Sequence, residues 1–433
     1  MFSNGQSLEK VECFSPITAD IPRDRLNLLD VLSREASPYA AISRPGKYSL
    51  CDVFHAAGRT LGASLPDKLG ASMQPVPETA SIGGGKHGAD CVGFVIGFIV
   101  GHSPAIFRVC VAMTGHLSPG LSPYSSQLDV TREIDLEDPA AVLAAIEGIF
   151  DRRFGQTWPR EILALAFAEV VSAYAGNYPG LLVCDTPYHD LRHTLDTTLA
   201  MARIIDGYEA SSLRQGAPLG PELAVVGVVL AVFHDFGYLR RTGEEHLTGA
   251  QLVGGHESRG AEFAAAFLSR SGLTQHAPLA RLIMATAFKE NLNELFSAYH
   301  GAAVNLACMM ASADVLSQLA DRYYLERCRD FLFHEFVEGG LDRIVQSDGA
   351  ECILYASAED LLRKTPWFFE AVIIKRLEYD LRGVYRYLDD HFAAQNPYVS
   401  AMFANITFLK ELVESDDFSR LRRSPRSLYC VAA

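Results

Sequence analysis

Tyr188-His189-Asp190-Leu191-Arg192-His193-Thr194-Leu195-Asp196 is the stretch on which the reading of this chain turns. A helix starting near Tyr188 puts His189 and His193 one turn apart on one face, with Asp196 on that face three residues later. Two such histidines suit a solvated helix face, but a neutral imidazole is also a good ligand for zinc or another transition metal. Downstream, Leu223–Asp235 (LAVVGVVLAVFHD) runs eleven nearly unbroken apolar residues into the pair His234-Asp235. That pattern predicts a buried helix, and a buried His-Asp end is costly unless it is paired or ligated. Asp235 has two oxygens and could bridge two cations about 3.5–4 Å apart, the spacing of two-metal hydrolases. Asp314 repeats the logic as a lone carboxylate in Asn305–Leu316 (NLACMMASADVL). A buried acid without a partner becomes neutral, and a metal is the alternative.

Around these residues the chain reads as mainly α. Apolar residues recur at helical spacing in Glu161–Ala175, Thr194–Ile205, Glu222–Phe233, Ser258–Ser269, Ala277–Phe288, Val304–Phe336 and Trp367–Tyr387, which predicts an all-α domain of roughly eight helices. Residues 1–145 differ in character, being rich in Gly, Pro and Ser with a short helical pattern at Leu26–Ala36. They are expected to form a smaller α+β domain ahead of the helical domain at 146–433. Asp135–Phe154 opens with acidic residues and Pro139 before turning helical, as a linking helix would.

Composition limits the function. The 433 residues are 49% hydrophobic, enough for a large core, and 52 acidic against 38 basic residues give a net charge of -14. Such a balance argues against gripping a nucleic-acid backbone, although bound metal can reverse the local field for a small anionic substrate. Nine scattered cysteines without a CxxC pair indicate neither a disulfide framework nor a zinc knuckle. The N-terminus lacks a basic region followed by an apolar one, so a cytoplasmic protein is expected. The apolar stretch Cys91–Met113 is broken by Gly93, Gly97, Gly101, His102, Pro104 and Arg108, whereas a membrane helix needs roughly 20 uninterrupted apolar residues. It is expected instead to form strands Val92–Val100 and Ala105–Met113 joined by a turn.

His193, His234-Asp235 and Asp314 together resemble the H…HD…D signature of the HD-domain metal-dependent phosphohydrolases. More specifically, Tyr188-His189-Asp190-x-x-His193-x-x-Asp196 is similar to the YHNxxHxxDV motif of the class I cyclic-nucleotide phosphodiesterases, with Asp190 for Asn and Thr197 for Val. Ile283–Thr286 resembles that family's I-L-A-T segment, and Ala313-Asp314 through Phe336 to Gly339 its A-D-[LI]-S…EEFF..G stretch. The likeness covers Tyr188 to Gly340, about a third of the chain. It implies a phosphodiesterase-like helical domain that hydrolyses a small phosphoester, a nucleotide or cyclic nucleotide in its sharpest form. It further implies two divalent metals (Zn, Mg or Mn, with Fe as another option), His193, His234, Asp235 and Asp314 holding the first and Asp235 bridging to the second. His189 would then be the general acid, with Asp196 and His256 as supporting or substrate-contacting residues.

The departures are equally informative. The family's HDxxH histidine is replaced by Tyr238, leaving His246 or His256 as substitutes. Gly255–Glu262 (GHESRGAE) is similar to the HE…GAE stretch of many HD domains. The family's purine-clamping glutamine has no clear counterpart, Gln395 reading as a loop residue. Arg192, Arg259, Lys289 and Glu290 are candidates to line a substrate pocket. Ser81–Gly88 lacks the phosphate-loop spacing and reads as a loop, and Arg420–Arg426 (RLRRSPR) as a solvated tail. A di-iron oxygenase with a similar shell and a non-catalytic metal-binding sensor or scaffold stand as alternatives, and homo-oligomer formation is left open.

Overall fold

Asp138 and Pro139 start the first long helix in the way their chemistry favours. The Asp138 carboxylate accepts from the Ala140 amide at 2.9 Å, and Pro139 occupies the first helical position, where no amide is needed. The computed structural model describes residues 95–100, 103–108, 128–214, 216–345 and 350–428. The Leu26–Ala36 and Ser81–Gly88 readings lie outside the described residues.

The described part is mainly α. Its helices are α1 (Pro139–Phe154), α2 (Arg160–Tyr174), α3 (Leu191–Ala210), α4 (Gly220–Phe233), α5 (His256–Arg270), α6 (Leu292–Ser297), α7 (Ala302–Ala320), α8 (Tyr324–Arg327), α9 (Phe333–Glu338), α10 (Ala358–Phe368), α11 (Tyr387–Phe392) and α12 (Pro397–Ser415). Two antiparallel hairpins accompany them, β1 (Val95–Val100) with β2 (Ser103–Arg108), and β3 (Arg343–Val345) with β4 (Glu351–Ile353). The first pairs residues of the two expected strands, Val92–Val100 and Ala105–Met113, with β2 starting two residues earlier than expected. Helix α1 runs through residue 146, where the helical domain was expected to begin.

Helix α3 is the axis of the fold. It packs against α1, α4, α7 and α11, and every residue from Leu191 to Tyr208 is buried. Many of those residues are polar, so the helix is held by bonds as well as by apolar packing. Thr194 shares a hydrogen bond with the Tyr174 hydroxyl (2.9 Å), Thr197 with Ser317 (2.9 Å), and Arg203 donates to Asp129 (2.7 Å) and to the Tyr398 hydroxyl (2.8 Å). Helix α4 needs no such arrangement, since Ala224 to Phe233 are apolar and buried on all sides.

Several segments differ from the sequence reading, among them Trp367–Tyr387, which is broken by π turns at Phe369–Ile373 and Arg376–Asp380 and a 3-10 turn at Val384–Arg386. Residues Thr274–Thr286 form successive 3-10 turns instead of an α-helix, and Pro278 within them cannot supply a helical amide bond. The expected long helix Val304–Phe336 breaks at Asp321, whose carboxylate accepts from the Tyr323 amide (3.0 Å), and then contains a π turn at Cys328–Leu332. Arg420–Arg426, expected as a solvated tail, keeps its arginine side chains exposed, but the backbone from Leu421 to Leu428 is held to the body. Arg329 donates to the Leu421 carbonyl (2.6 Å), Arg327 to that of Arg426 (3.2 Å), and the Leu428 amide donates to Asp190 (2.7 Å), so their backbone is docked on the helical body.

Gly220–Tyr238 and Ala302–Ala320 are long and apolar enough to cross a membrane, but 78% and 83% of these windows are buried inside the protein. They are core segments of the described structure.

Candidate metal centre

Three parts of the chain converge on one point. Asp190 caps α3 through the His193 amide (3.0 Å) and is itself held by Arg327 (3.2 Å), which fixes the first turn of the helix and with it the His193 ring. His234 ends α4, Asp235 follows in the 3-10 turn, and Asp314 projects from the middle of α7. His193 Nε2 lies 3.2 Å from Asp235 Oδ2 and 3.3 Å from Asp314 Oδ1, and His234 Nε2 lies 3.2 and 3.6 Å from the same two atoms.

These short distances are not hydrogen bonds. His193 Nε2, His234 Nε2 and Asp235 Oδ2 are buried and have no hydrogen-bond partner, so the donor atoms face a shared centre instead of one another. Buried polar atoms are ordinarily satisfied, and three orphans within 4.8 Å of each other fit a metal ion. His234 Nδ1 donates to the Ala231 carbonyl at 2.8 Å, which leaves the Nε2 lone pair for coordination. Asp314 is oriented by Gln318, which donates to its Oδ1 (2.7 Å) and in turn accepts from the Tyr188 hydroxyl (3.0 Å). The buried group of His193, His234 and Asp235 could therefore hold a metal ion, with Asp314 completing a donor set of two nitrogens and two oxygens.

Electrostatics point the same way. Burial disfavours the imidazolium of His193, but Asp235 and Asp314 outweigh it and hold His193 at about 9. His234 is raised well above the usual histidine range by the same balance. Burial would raise Asp235 and Asp314, yet the facing histidines bring both below the usual carboxylate range. Without a cation, protons neutralise this cluster; a divalent ion would replace them.

No protein-family model, curated protein or solved structure matches the chain.

His189 stands beside the cluster, its Nδ1 2.6 Å from Glu335 Oε2, while Glu335 Oε1 accepts from the Tyr188 amide at 2.6 Å. Sequence reasoning gave Glu335 no role, although it lies in the stretch likened to EEFF..G, because its partner is 146 positions away. Gln318 was within reach of it, four residues after Asp314 on the same helix face. Tyr238 is buried with its ring nearly parallel to His189 (centroids 4.5 Å apart) and to His256 (4.1 Å). His256 Nε2 comes 3.6 Å from Asp235 Oδ1, the carboxylate oxygen turned away from His193, and its Nδ1 donates to the Val253 carbonyl (2.9 Å). Burial lowers its pKa against the pull of Asp235, favouring the neutral ring a metal requires. Gly237 lets α5 come this close, because a Cβ there would meet the His256 carbonyl at 1.8 Å.

Other candidates lie elsewhere or are committed. His246 is exposed and outside the cluster. Arg192 forms a buried pair with Asp321 (2.8 Å), and Arg259 pairs with Glu244 (2.9 Å) while donating to the Gly237 and Leu239 carbonyls. Lys289 donates to the Gly254 carbonyl and Gln395 is exposed in a loop. Asp196 is buried with Oδ1 unpartnered, and burial raises it to about 7 despite nearby Arg192.

Proposed function

We propose that this protein is a cytoplasmic metal-dependent hydrolase of small phosphoesters, with nucleotides and cyclic nucleotides as the expected substrates. The observation that carries the reading is the convergence of orphaned, buried His193, His234 and Asp235 atoms, with Asp314 beside them and a glutamate-held histidine at the edge. His193, His234, Asp235 and Asp314 would hold one cation, and Asp235 Oδ1 with His256 offers donors toward a second. A divalent cation supplies Lewis acidity there, making a water nucleophilic near neutral pH and taking up charge on phosphoryl oxygens.

The chain's own residues provide the rest. Glu335 binds His189 Nδ1, so the ring presents Nε2 to the leaving oxygen. Tyr238 stacks on that ring and limits its rotation. Asp190 and Arg327 hold the turn that carries both histidines.

The test is elemental analysis of the purified protein together with Mn²⁺- and Mg²⁺-activated turnover of bis-p-nitrophenyl phosphate and of cyclic and linear nucleotides. Metal with turnover supports the hydrolase. Bound iron without phosphoesterase activity would replace it with the oxygenase reading, and a protein that takes up no metal would leave a scaffold.

A further inference from the structure

A cavity of about 280 Å³ lies in the groove between α3, α7 and α12, one helical turn along from His193 and Asp314. A smaller crevice shares Arg192, Asp196, Ser317 and Asp321 with it and reaches His193. Ala320, Ala401 and Tyr398 give the cavity apolar walls. Asp196 is its one carboxylate left over. Among the described residues no hydrogen bond or ion pair involves the Asp196 side chain, and its Oδ1 is fully enclosed. The other two acids are spent, Asp129 on Arg203 (2.7 Å) and Asp321 on Arg192 (2.8 Å). Burying a carboxylate that accepts nothing is costly, so this residue type at this depth is explained by something that enters and donates.

The rim has the opposite character. Arg132 and Arg423 line the cavity and are exposed; Arg423 Nη1 donates to the Arg322 carbonyl (2.6 Å) and its charge also acts on Glu326, while among the described residues no carboxylate lies within ion-pair distance of either. Arg132 is held in place by its turn: Asp129 accepts from the Glu133 and Ile134 amides (3.0 Å each) and is anchored to Arg203. Depth therefore asks for N–H donors, and the mouth asks for an anion.

We propose that this cavity binds a small amphoteric molecule that presents an N–H donor to Asp196 and a phosphate or carboxylate to Arg132 and Arg423. An N–H group, as on guanine or a guanidine, suits the carboxylate oxygen that is not enclosed, and apolar walls suit the flat body between the ends. This site does not depend on the metal centre or on its chemistry.

The test is calorimetric titration of the full chain with GMP, L-arginine and creatine, which share the donor-plus-anion pattern. At least one should bind once per chain. Asp196→Ala should weaken it at least about tenfold, the scale of a lost charge-assisted hydrogen bond. Ala401→Phe, at the cavity edge and away from the buried polar network, should abolish binding while leaving the thermal unfolding temperature near that of the parent, which covers the case in which Asp196→Ala fails to fold. Asp235→Ala, which dismantles the metal centre, should leave the affinity within about twofold. No binding of any of the three, undiminished binding to Ala401→Phe, or binding lost only in Asp235→Ala would each overturn the proposal, the last by assigning the ligand to the metal centre.

Discussion

His189 and Asp196 sit on opposite sides of His193, and their surroundings give them different duties. His189 is anchored through Nδ1 by Glu335, so its contribution should lie in proton delivery and not in metal retention. His189→Ala is expected to keep the metal yet lose roughly 10²–10⁴ in rate on esters with poor leaving groups, the usual range for a general acid, and much less on p-nitrophenyl esters. Glu335→Gln should show the same leaving-group dependence at smaller size; equal losses on both substrate types would remove the role. Asp196 is fully buried, and desolvation raises it to about 7. A carboxyl raised on folding binds more protons in the native than in the unfolded chain, so its effect on stability is least at pH 4 and grows unfavourable as pH rises toward 7. The loss reaches up to about 4 kcal/mol at higher pH. Asp196→Asn should flatten this dependence, with urea unfolding at pH 5 and pH 8 as the check; parallel slopes for parent and variant would show that the carboxyl is already ionised.

At the scale of elements, the centre depends on how closely α5 approaches the turn after α4. Gly237 makes that approach possible at the His256 carbonyl, and Gly260 does so on the α5 side, where a Cβ would lie 2.6 Å from the Phe233 carbonyl oxygen and 2.8 Å from that of His234. Gly237→Ala is expected to cost about 2–3 kcal/mol, since backbone rather than a side-chain tip must give way, and to move His256 from Asp235. Thermal unfolding and metal titration together check it, and a variant with parent-like stability and metal content would show that α5 can shift freely. Helix α4 was legible because its apolar run has only one reading, and α1 because Asp138 and Pro139 announce it. The burial of α3 was not. Arg192, Thr194, Thr197 and Arg203 look solvated until their partners on α2, α7 and α12 and at Asp321 and Asp129 are known. The site residues could be named from type and spacing, whereas Glu335 and the Tyr238 stack depend on contacts far apart in the chain. Residues Thr274–Thr286 kept a helical pattern of apolar positions, yet a proline and a tight path over α5 gave 3-10 turns.

Across the whole molecule, the candidate ligands come from α3, the end of α4 and α7, so a cation would tie together elements separated by more than a hundred residues. Binding only to the folded chain should stabilise it by about 2.7 kcal/mol at a free metal concentration one hundred times Kd, and raise its unfolding temperature by several degrees. The size of that effect should depend on pH in a defined sense. His193 is raised to about 9 on folding, so the metal-free chain gains stability from its imidazolium below the unfolded value near 6.5 and loses it as pH rises through about 9. The same proton must leave before a metal binds, so apparent affinity should climb toward tenfold per pH unit for each proton displaced over that range. Chelator-treated protein is thus expected to weaken from pH 6.5 to 9 while the gap between metal-loaded and metal-free chains widens. Unfolding temperatures recorded with excess Mn²⁺ and with EDTA across this range measure both. A gap that stays constant with pH would mean that His193 carries no proton for the metal to displace, and that the buried cluster is neutralised in another way.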